Sequence, residues 1–394
     1  MASLATAFAL CAGAAVMLRA KPSSAEAPRT WDVAAERVRR DADIAFYMKR
    51  VSEDPTGALD ELRLAALYLQ RARERGAPAD LLQAETSARR SLVNRRAHNA
   101  EAYRALALAL IGQHRFIEAR AAADSLVADD PSSVSARSLL GEILLELGEY
   151  PAADTIFTAL DQSGVDPAVG SRIARWAALR GRSAHARALL TNARATVHEQ
   201  FGVPAEQVAW FDLRLGELAL TVGQHDDAAQ HFAAALAIVP DDPRTHLALA
   251  RLDLARDDAA GALEHSTTAM NLGEDPMAFA ITSEAYRRQG DSLESDRYLA
   301  AFETAIAAAP PSAWHRDWQI ALLDRGRQVD AVLAQAEADL KVRRDVFGWD
   351  LYAWALHHAG RNADASTAMA KALASGTEDV RLQAHARAIG MTGP

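Results

Sequence analysis

LGELALTVGQHDDAAQHFAAALAIVP, from Leu215 to Pro240, is the stretch that decides the fold of this chain. Gly223 divides it into two apolar segments, and its missing Cβ allows the left-handed turn that ends many helices. Asp226 or Asp227 can begin a second helix, and Pro240 follows the end of that helix. The stretch therefore predicts two helices joined by a short turn.

The two predicted helices must approach each other closely. The first is expected over about Ala209–Val222, with Gly216 on the face that meets Ala228 of the second helix. A larger side chain at either of these positions would push the helices apart. Phe232 is expected to fill the remaining gap, so the stretch predicts an antiparallel helical hairpin.

The same arrangement of small and bulky residues returns along the chain. The spacing from Ala107 to Gly141 equals the spacing from Gly216 to Ala250. The pattern resembles the tetratricopeptide repeat, W-x2-L-G-x2-Y, then A-x3-F, then P, with a period of about 34 residues. Leu215-Gly216, Ala228-x3-Phe232 and Pro240 stand at the family's positions, while Ala219 stands where the family has Tyr.

The resemblance implies an all-α fold, a right-handed superhelical solenoid of antiparallel helix pairs. The predicted organisation is a leading helix over 30–57, about nine helix pairs over 58–377, and a capping helix and tail over 378–394. In the leading helix, apolar side chains should pack on the first pair: Val38, Ile44, Phe46 and Tyr47. Long second helices are expected after Ser292 and Val329, the latter reaching about Val346.

Composition and charge agree with an all-α protein and argue against some functions. Half of the 394 residues are apolar, Ala dominates, and β-branched runs are missing. The net charge of −9 is mixed along the chain without a long basic block, which argues against nucleic acid as a partner. Cys11 is the single cysteine, so neither an internal disulfide nor a Cys-based metal site can form.

The N-terminal residues 1–28 suggest a targeting segment. Ala2–Leu18 carries no charge, and a polar stretch follows it with Ser23-Ser24-Ala25 as a small-residue cleavage site. We expect a cleaved signal peptide or an N-terminal membrane anchor formed by residues 2–18. Either would place the protein outside the cytoplasm, in the periplasm or cell envelope of a bacterium. The alternative is a cytoplasmic protein in which this segment has no targeting role.

Motifs that carry chemistry are missing from the sequence. It contains no G-x-x-x-x-G-K-[ST], no G-x-G-x-x-G, no H-E-x-x-H and no G-x-S-x-G. His357 and His358 are adjacent, and neighbours on a helix point about 100° apart, so they rarely bind one ion. We therefore expect no catalysis, no cofactor and no metal. An enzyme with an unrecognised site between helices is the weaker alternative.

The resemblance further implies that a protein or peptide binds on the concave face, which the first helix of each pair lines. The residues expected to face this groove are Arg104, Glu142, Arg175, Glu217, Arg251, Glu284, Arg316, Trp354 and His357. Trp354 and His357 form the best candidate anchor, because aromatic residues are frequent hot spots. Chaperone-type members of the family hold a carboxylate with Lys or Arg and Asn, but no Asn occurs at these positions. Charges at helical spacing are also typical of a solvated face.

The expected function is that of a non-catalytic scaffold or adaptor, exported or membrane-tethered, that binds a protein or peptide partner. A cytoplasmic adaptor or regulator with the same fold is the alternative.

Overall fold

The computed structural model describes residues 31–161, 166–308 and 314–391, and within them it contains helices and no strands. The helices belong to one unit that begins at Asp32. Their bounds are α1 Val33–Glu53, α2 Ala58–Arg75, α3 Pro78–Asn94, α4 Ala100–Gly112, α5 Phe116–Asp129, α6 Val134–Leu147, α7 Tyr150–Leu160, α8 Pro167–Leu179, α9 Ser183–Glu199, α10 Ala205–Thr221, α11 His225–Ile238, α12 Pro243–Ala255, α13 Ala259–Leu272, α14 Met277–Gln289, α15 Ser292–Ala307, α16 Arg316–Asp324, α17 Val329–Asp339, α18 Val346–His358, α19 Asn362–Leu373 and α20 Val380–Ala388.

These helices form an all-α solenoid, and the predicted fold class is confirmed. The leading helix is α1, the elements from α2 to α19 follow one another as nine pairs, and α20 comes last. The predicted signal peptide or anchor, residues 1–28, lies outside the described residues. No helix in the described part of the chain is both long enough and apolar enough to cross a membrane.

The central hairpin is formed by α10 and α11. Gly223 lies in the turn between them in the left-handed conformation, with φ at +76°, as its missing Cβ predicts. Phe232 is completely buried. A Cβ placed on Gly216 would lie 2.4 Å from the Phe232 ring, so only glycine leaves room for that ring. The close approach predicted from the sequence is confirmed.

The ends of this hairpin differ from the prediction. The helix α10 begins at Ala205, earlier than the predicted Ala209, because Pro204 starts it and the Ala205 amide donates to the Glu36 carboxylate at 2.8 Å. The helix α11 begins at His225, so Asp226 and Asp227 lie in its first turn rather than at its cap. There their negative charges interact favourably with the positive, N-terminal end of the helix dipole.

The packing predicted for α1 is only partly right. Ile44 is buried and Tyr47 packs against the same core, but Val38 and Phe46 are 69% and 54% exposed. The inward face of α1 instead carries Arg40, which is buried and forms an ion pair with Glu74 of α2. Ion pairing therefore adds to the apolar packing that holds α1 in place.

The predicted length of α17 is wrong, because the helix ends at Asp339 and does not reach Val346. The chain turns there to meet an earlier repeat, and the Arg344 amide donates to the Leu147 carbonyl at 3.2 Å. Asp345 then caps α18 by accepting from the Phe347 and Gly348 amides at 2.9 and 3.0 Å.

The described unit closes on itself, since turns of the earlier repeats contact turns and helix ends of the C-terminal repeats. The rings of His114 and His315 lie 4.4 Å apart, edge to face. The Val346 amide donates to the Tyr150 hydroxyl at 2.6 Å. A Cβ on Gly181 would lie 2.2 Å from the Gly376 carbonyl oxygen. We call this line of contacts the seam: His114–His315, Leu147–Arg344, Tyr150–Val346 and Gly181–Gly376.

A second set of contacts joins α1 and α2 to the middle of the array. Arg73 donates to Glu206 at 2.9 Å, and Arg37 donates to Asp241 at 3.0 Å. Glu206 lies at the start of α10 and Asp241 lies just before α12, several pairs further on. Successive turns of the superhelix therefore touch each other.

Candidate functional site: a cavity on the concave face

The concave side of the array contains a cavity of about 1090 Å³. One wall is formed by α8, α10, α12 and α14, which are first helices of their pairs. The opposite wall is formed by residues 314–317, the end of α17, the turn after it, and the start of α20. The cavity therefore exists because the C-terminal elements face the concave surface of the earlier repeats.

Charged side chains of both signs line this cavity. Its walls contain six arginines and six carboxylates, which are Arg175, Arg214, Arg251, Arg316, Arg343, Arg381, Glu146, Glu217, Asp317, Asp339, Glu378 and Asp379. The two signs balance, and the arginines are engaged in ion pairs, for example Arg214 with Glu217. The cavity consequently carries no strong net charge.

Asp317 on α16 connects two other helices across the cavity. Its carboxylate accepts from Arg251 of α12 at 3.0 Å and from Arg381 of α20 at 2.9 Å. Burial alone would raise the pKa of Asp317, but Arg381, Arg251 and Arg316 outweigh it and hold the pKa far below its usual range. The charged form of Asp317 is therefore favoured, and its carboxylate links α12, α16 and α20.

Glu146 on α6 forms a similar bridge. It pairs with Arg175 of α8, and it accepts from Arg343 of the α17–α18 turn at 3.3 Å. Burial raises the pKa of Glu146, and the nearby Asp345 adds to this effect against the two arginines. Glu146 thus joins the concave wall to the C-terminal wall beside the seam.

The comparison with known families matches two stretches, residues 110–175 and 219–269, to the tetratricopeptide repeat. These two stretches carry tetratricopeptide repeats. The first stretch runs from the end of α4 into α8, and the second from the end of α10 into α13, which includes the hairpin around Phe232. No curated protein matches the sequence.

Two solved structures show the same fold. The human IFIT1 dimer with m7Gppp-AAAA has a TM-score of 0.54 at 14% identity, covering 81% of this chain and 72% of that chain. The human IFIT1 dimer with PPP-AAAA has a TM-score of 0.52 at 14% identity, covering 81% and 73%. PilW, a type IV pilus biogenesis factor, has a TM-score of 0.44 at 18% identity, covering 54% and 96%. The tetratricopeptide repeat architecture is that of a protein-interaction scaffold.

The repeat structure brings four of the predicted groove residues together. Arg175, Glu217, Arg251 and Arg316 all line the cavity. Glu142 lies one helical turn before Glu146 and accepts from Arg172 at 2.8 Å. That these side chains contact a ligand stays a prediction.

The other predicted groove residues lie elsewhere in the repeats. Arg104 pairs with Glu101 at 3.2 Å and donates to Ser135 at 2.6 Å. Glu284 lines a second, smaller cavity of about 590 Å³ and pairs with Arg287 at 2.7 Å. Neither residue lines the larger cavity.

Trp354 and His357, the predicted anchor, belong to a cluster at the C-terminal end of the repeats. The Trp354 ring stacks on His385 at 4.2 Å and on His357 at 5.1 Å, and its indole N–H donates to Asp324 at 2.8 Å. These contacts give Trp354 a packing role between α18 and α20. They place it outside the lining of the larger cavity.

Several cavity residues were not predicted from the sequence. Glu146 lies one turn after the predicted Glu142 on the same helix face, and this spacing could have revealed it. Asp317, Arg343 and Arg381 enter the cavity only because the superhelix closes, and no local pattern indicates that. In the described residues, no three His, Cys, Asp or Glu side chains come together in a way that could hold a metal ion.

Proposed function

We propose that the protein is a non-catalytic scaffold whose cavity binds an extended segment of a partner protein. The observation that carries this proposal is the cavity itself, since about 1090 Å³ lies at the upper end of ligand-site volumes. It lies on the concave face, where repeat proteins of this kind bind peptides.

The lining of the cavity favours a peptide over a nucleic acid. A phosphate backbone is bound by unopposed Lys and Arg side chains, whereas here six carboxylates accompany six arginines. Apolar side chains lie between the charges and offer contacts to apolar residues of a peptide: Leu218, Val222, Leu254, Met277 and Ile281. We therefore propose a partner segment that carries both charged and apolar side chains.

Binding can be tested by filling the cavity without removing any ion pair. Ala255 lies on the cavity wall and is exposed, and Ala255→Trp adds a large ring there. Ala300→Trp on α15 is the matched control, because Ala300 is exposed and does not line the cavity. Linear peptides are selected from a displayed random library, and their Kd is measured by fluorescence polarisation. Ala255→Trp should raise the Kd at least about tenfold, which corresponds to about 1.4 kcal/mol. Equal binding by the two variants, or a library without binders, would overturn the proposal.

We also propose that the protein is exported or membrane-tethered in a bacterium through residues 2–18, and that the repeats act in the periplasm or cell envelope. The uncharged run Ala2–Leu18 supports this. The test is fractionation of cells followed by N-terminal sequencing. We expect to recover the protein from the envelope fraction. Its N-terminus should either lie near Ala25 or still include the apolar segment. A chain in the soluble cytoplasm that begins at Met1 would contradict it.

A further inference from the structure

The seam and the repeat stack are held together by different forces. Within the stack, neighbouring pairs bury continuous apolar clusters, such as the one that joins Phe302 of α15, Leu322 of α16 and Leu351 of α18. The seam relies on hydrogen bonds, the His114–His315 contact and nearby ion pairs. Its apolar contacts centre on Tyr150 and Phe347, which are only partly buried.

This difference predicts which interface opens first. Burying apolar surface is the main stabilising contribution in folded proteins, so the stack interfaces are stable. Repeat arrays are held mainly by contacts between neighbours, and their long-range contacts add to a structure that persists without them. The seam can therefore open while the helix pairs stay folded.

We propose that the seam is a clasp that opens and closes as a unit and so controls access to the cavity. The inference rests on the proposed function, because it assumes that the cavity is the binding site. The C-terminal wall carries Asp317, Arg343 and Arg381, so opening the seam separates these side chains from the concave wall. A segment in the middle of a long chain can then enter sideways, without threading its end through the cavity.

Glu146 is the side chain that most directly holds the clasp shut, because it joins α6 and α8 to the α17–α18 turn beside the seam. Asp317 joins α16 to α12 and α20 and so holds the C-terminal wall in place. Asp317→Asn removes the charge but keeps the shape of the side chain, so both arginines lose their anionic partner. Combined with Glu146→Gln, it should shift the clasp toward the open state.

The opening can be measured without any ligand by electron–electron spin distance measurements. Labels at Ile117→Cys and Val342→Cys, in a Cys11→Ser background, flank the contact of Arg343 with the Phe116 ring at 4.6 Å. Both label positions are exposed, at 56% and 50%. The parent protein should give one narrow distance distribution. Asp317→Asn with Glu146→Gln should add a longer distance at unchanged helical circular dichroism. Glu303→Gln, which weakens the Arg327 pair away from the seam, is the control and should leave the distribution unchanged.

A second measurement follows access to the cavity. Ala178→Cys, also with Cys11→Ser, places a thiol on the cavity wall. A maleimide carrying a long polyethylene glycol chain should modify it much faster in the Asp317→Asn, Glu146→Gln protein, whereas N-ethylmaleimide should react at similar rates in both. Unchanged distances and unchanged rates overturn the clasp, as does a longer distance that appears only with loss of helicity.

Amide hydrogen exchange of the unmodified chain covers the case in which the double variant does not fold. The Arg344 and Val346 amides, which donate across the seam, should exchange faster than amides in the middle of α10 and α18. Equal protection at both places would also overturn the clasp. None of these measurements uses a peptide, so the clasp can fail while peptide binding holds, and the reverse.

Discussion

Asp350→Asn is expected to lower the free energy of unfolding of the C-terminal repeats by about 3–5 kcal/mol, the usual cost of breaking a buried ion pair. Asp350 on α18 is completely buried. Its carboxylate pairs with Arg316 of α16, and it accepts from Nδ1 of His385 on α20 at 2.8 Å. The amide would deprive Arg316 of its buried anion and leave it only the longer contact with Asp317 at 3.8 Å. It would also weaken the contact that holds α20 in place.

The same carboxylate gives the protein a pH dependence with a defined sign. Burial alone would raise the pKa of Asp350, but Arg316 and His385 outweigh it and hold the pKa at about 2, below its ordinary value of 3.8. A depressed pKa stabilises the folded state above the unfolded value and loses this effect as the pH falls through the folded value. The advantage of the parent protein over Asp350→Asn should therefore be constant above about pH 5 and should shrink between about pH 4 and pH 2.

Amide hydrogen exchange over α18 and α20, combined with urea denaturation, measures this effect locally, because repeats need not unfold in one step. Asp364→Asn is the matched control, since Asp364 pairs with Arg361 one turn away on the surface. Such exposed pairs contribute between zero and about 1 kcal/mol. If the two variants lose similar stability, the buried pair does not anchor the C-terminal repeats.

The helix pairs could be predicted from the sequence because their causes are local. A small residue such as Gly216 meets Phe232 on the very next helix, and a glycine such as Gly223 ends a helix within one turn. The residues that determine the fold of each repeat lie within that repeat, and the regular spacing of the small residues shows where the next repeat begins. For this reason the fold class was predicted from the chain alone.

The closure of the array could not be predicted in the same way. It joins residues far apart in the chain, such as Glu146 and Arg343, and depends on small rotations added over several repeats. The C-terminal end of α17 was predicted wrongly for the same reason. Helix propensity would continue α17 past Asp339, but the contact of Arg344 with Leu147 favours a turn there.

The cavity residues that could be predicted are those whose position depends on a single repeat. Arg175, Glu217 and Arg251 each follow the small residue of a first helix, and this fixed register places them on the concave side. The side chains on the opposite wall, such as Asp317 and Arg381, were not predicted, since they come from elements far along the chain. A sequence pattern could therefore identify several residues of one wall of the candidate site but only Arg316 of the other.

Phe232→Ala is expected to destabilise the central repeats by about 3–5 kcal/mol, the range for removing a buried aromatic ring. Phe232 is completely buried between α10 and α11, and its loss leaves a void beside Gly216, which has no side chain to fill it. Phe46→Ala on α1 is the matched control, because Phe46 is 54% exposed and should change the stability by less than about 0.5 kcal/mol. Amide hydrogen exchange over α10 and α11 is the measurement. If Phe232→Ala lowered amide protection no more than Phe46→Ala, or lowered it only in α1, the packing described for this hairpin would be wrong.

The contact between Gly216 and the Phe232 ring also predicts how two substitutions combine. Gly216→Ala alone should cost about 1–3 kcal/mol by overpacking, because its Cβ would lie 2.4 Å from the ring. In the Phe232→Ala background the ring is gone, so the same methyl group should cost little or even stabilise the hairpin by filling the void. The interaction free energy of this double-mutant cycle should then be at least about 1 kcal/mol. If the free-energy changes of the two substitutions simply added, the close approach of the Phe232 ring would not be the reason for glycine at position 216.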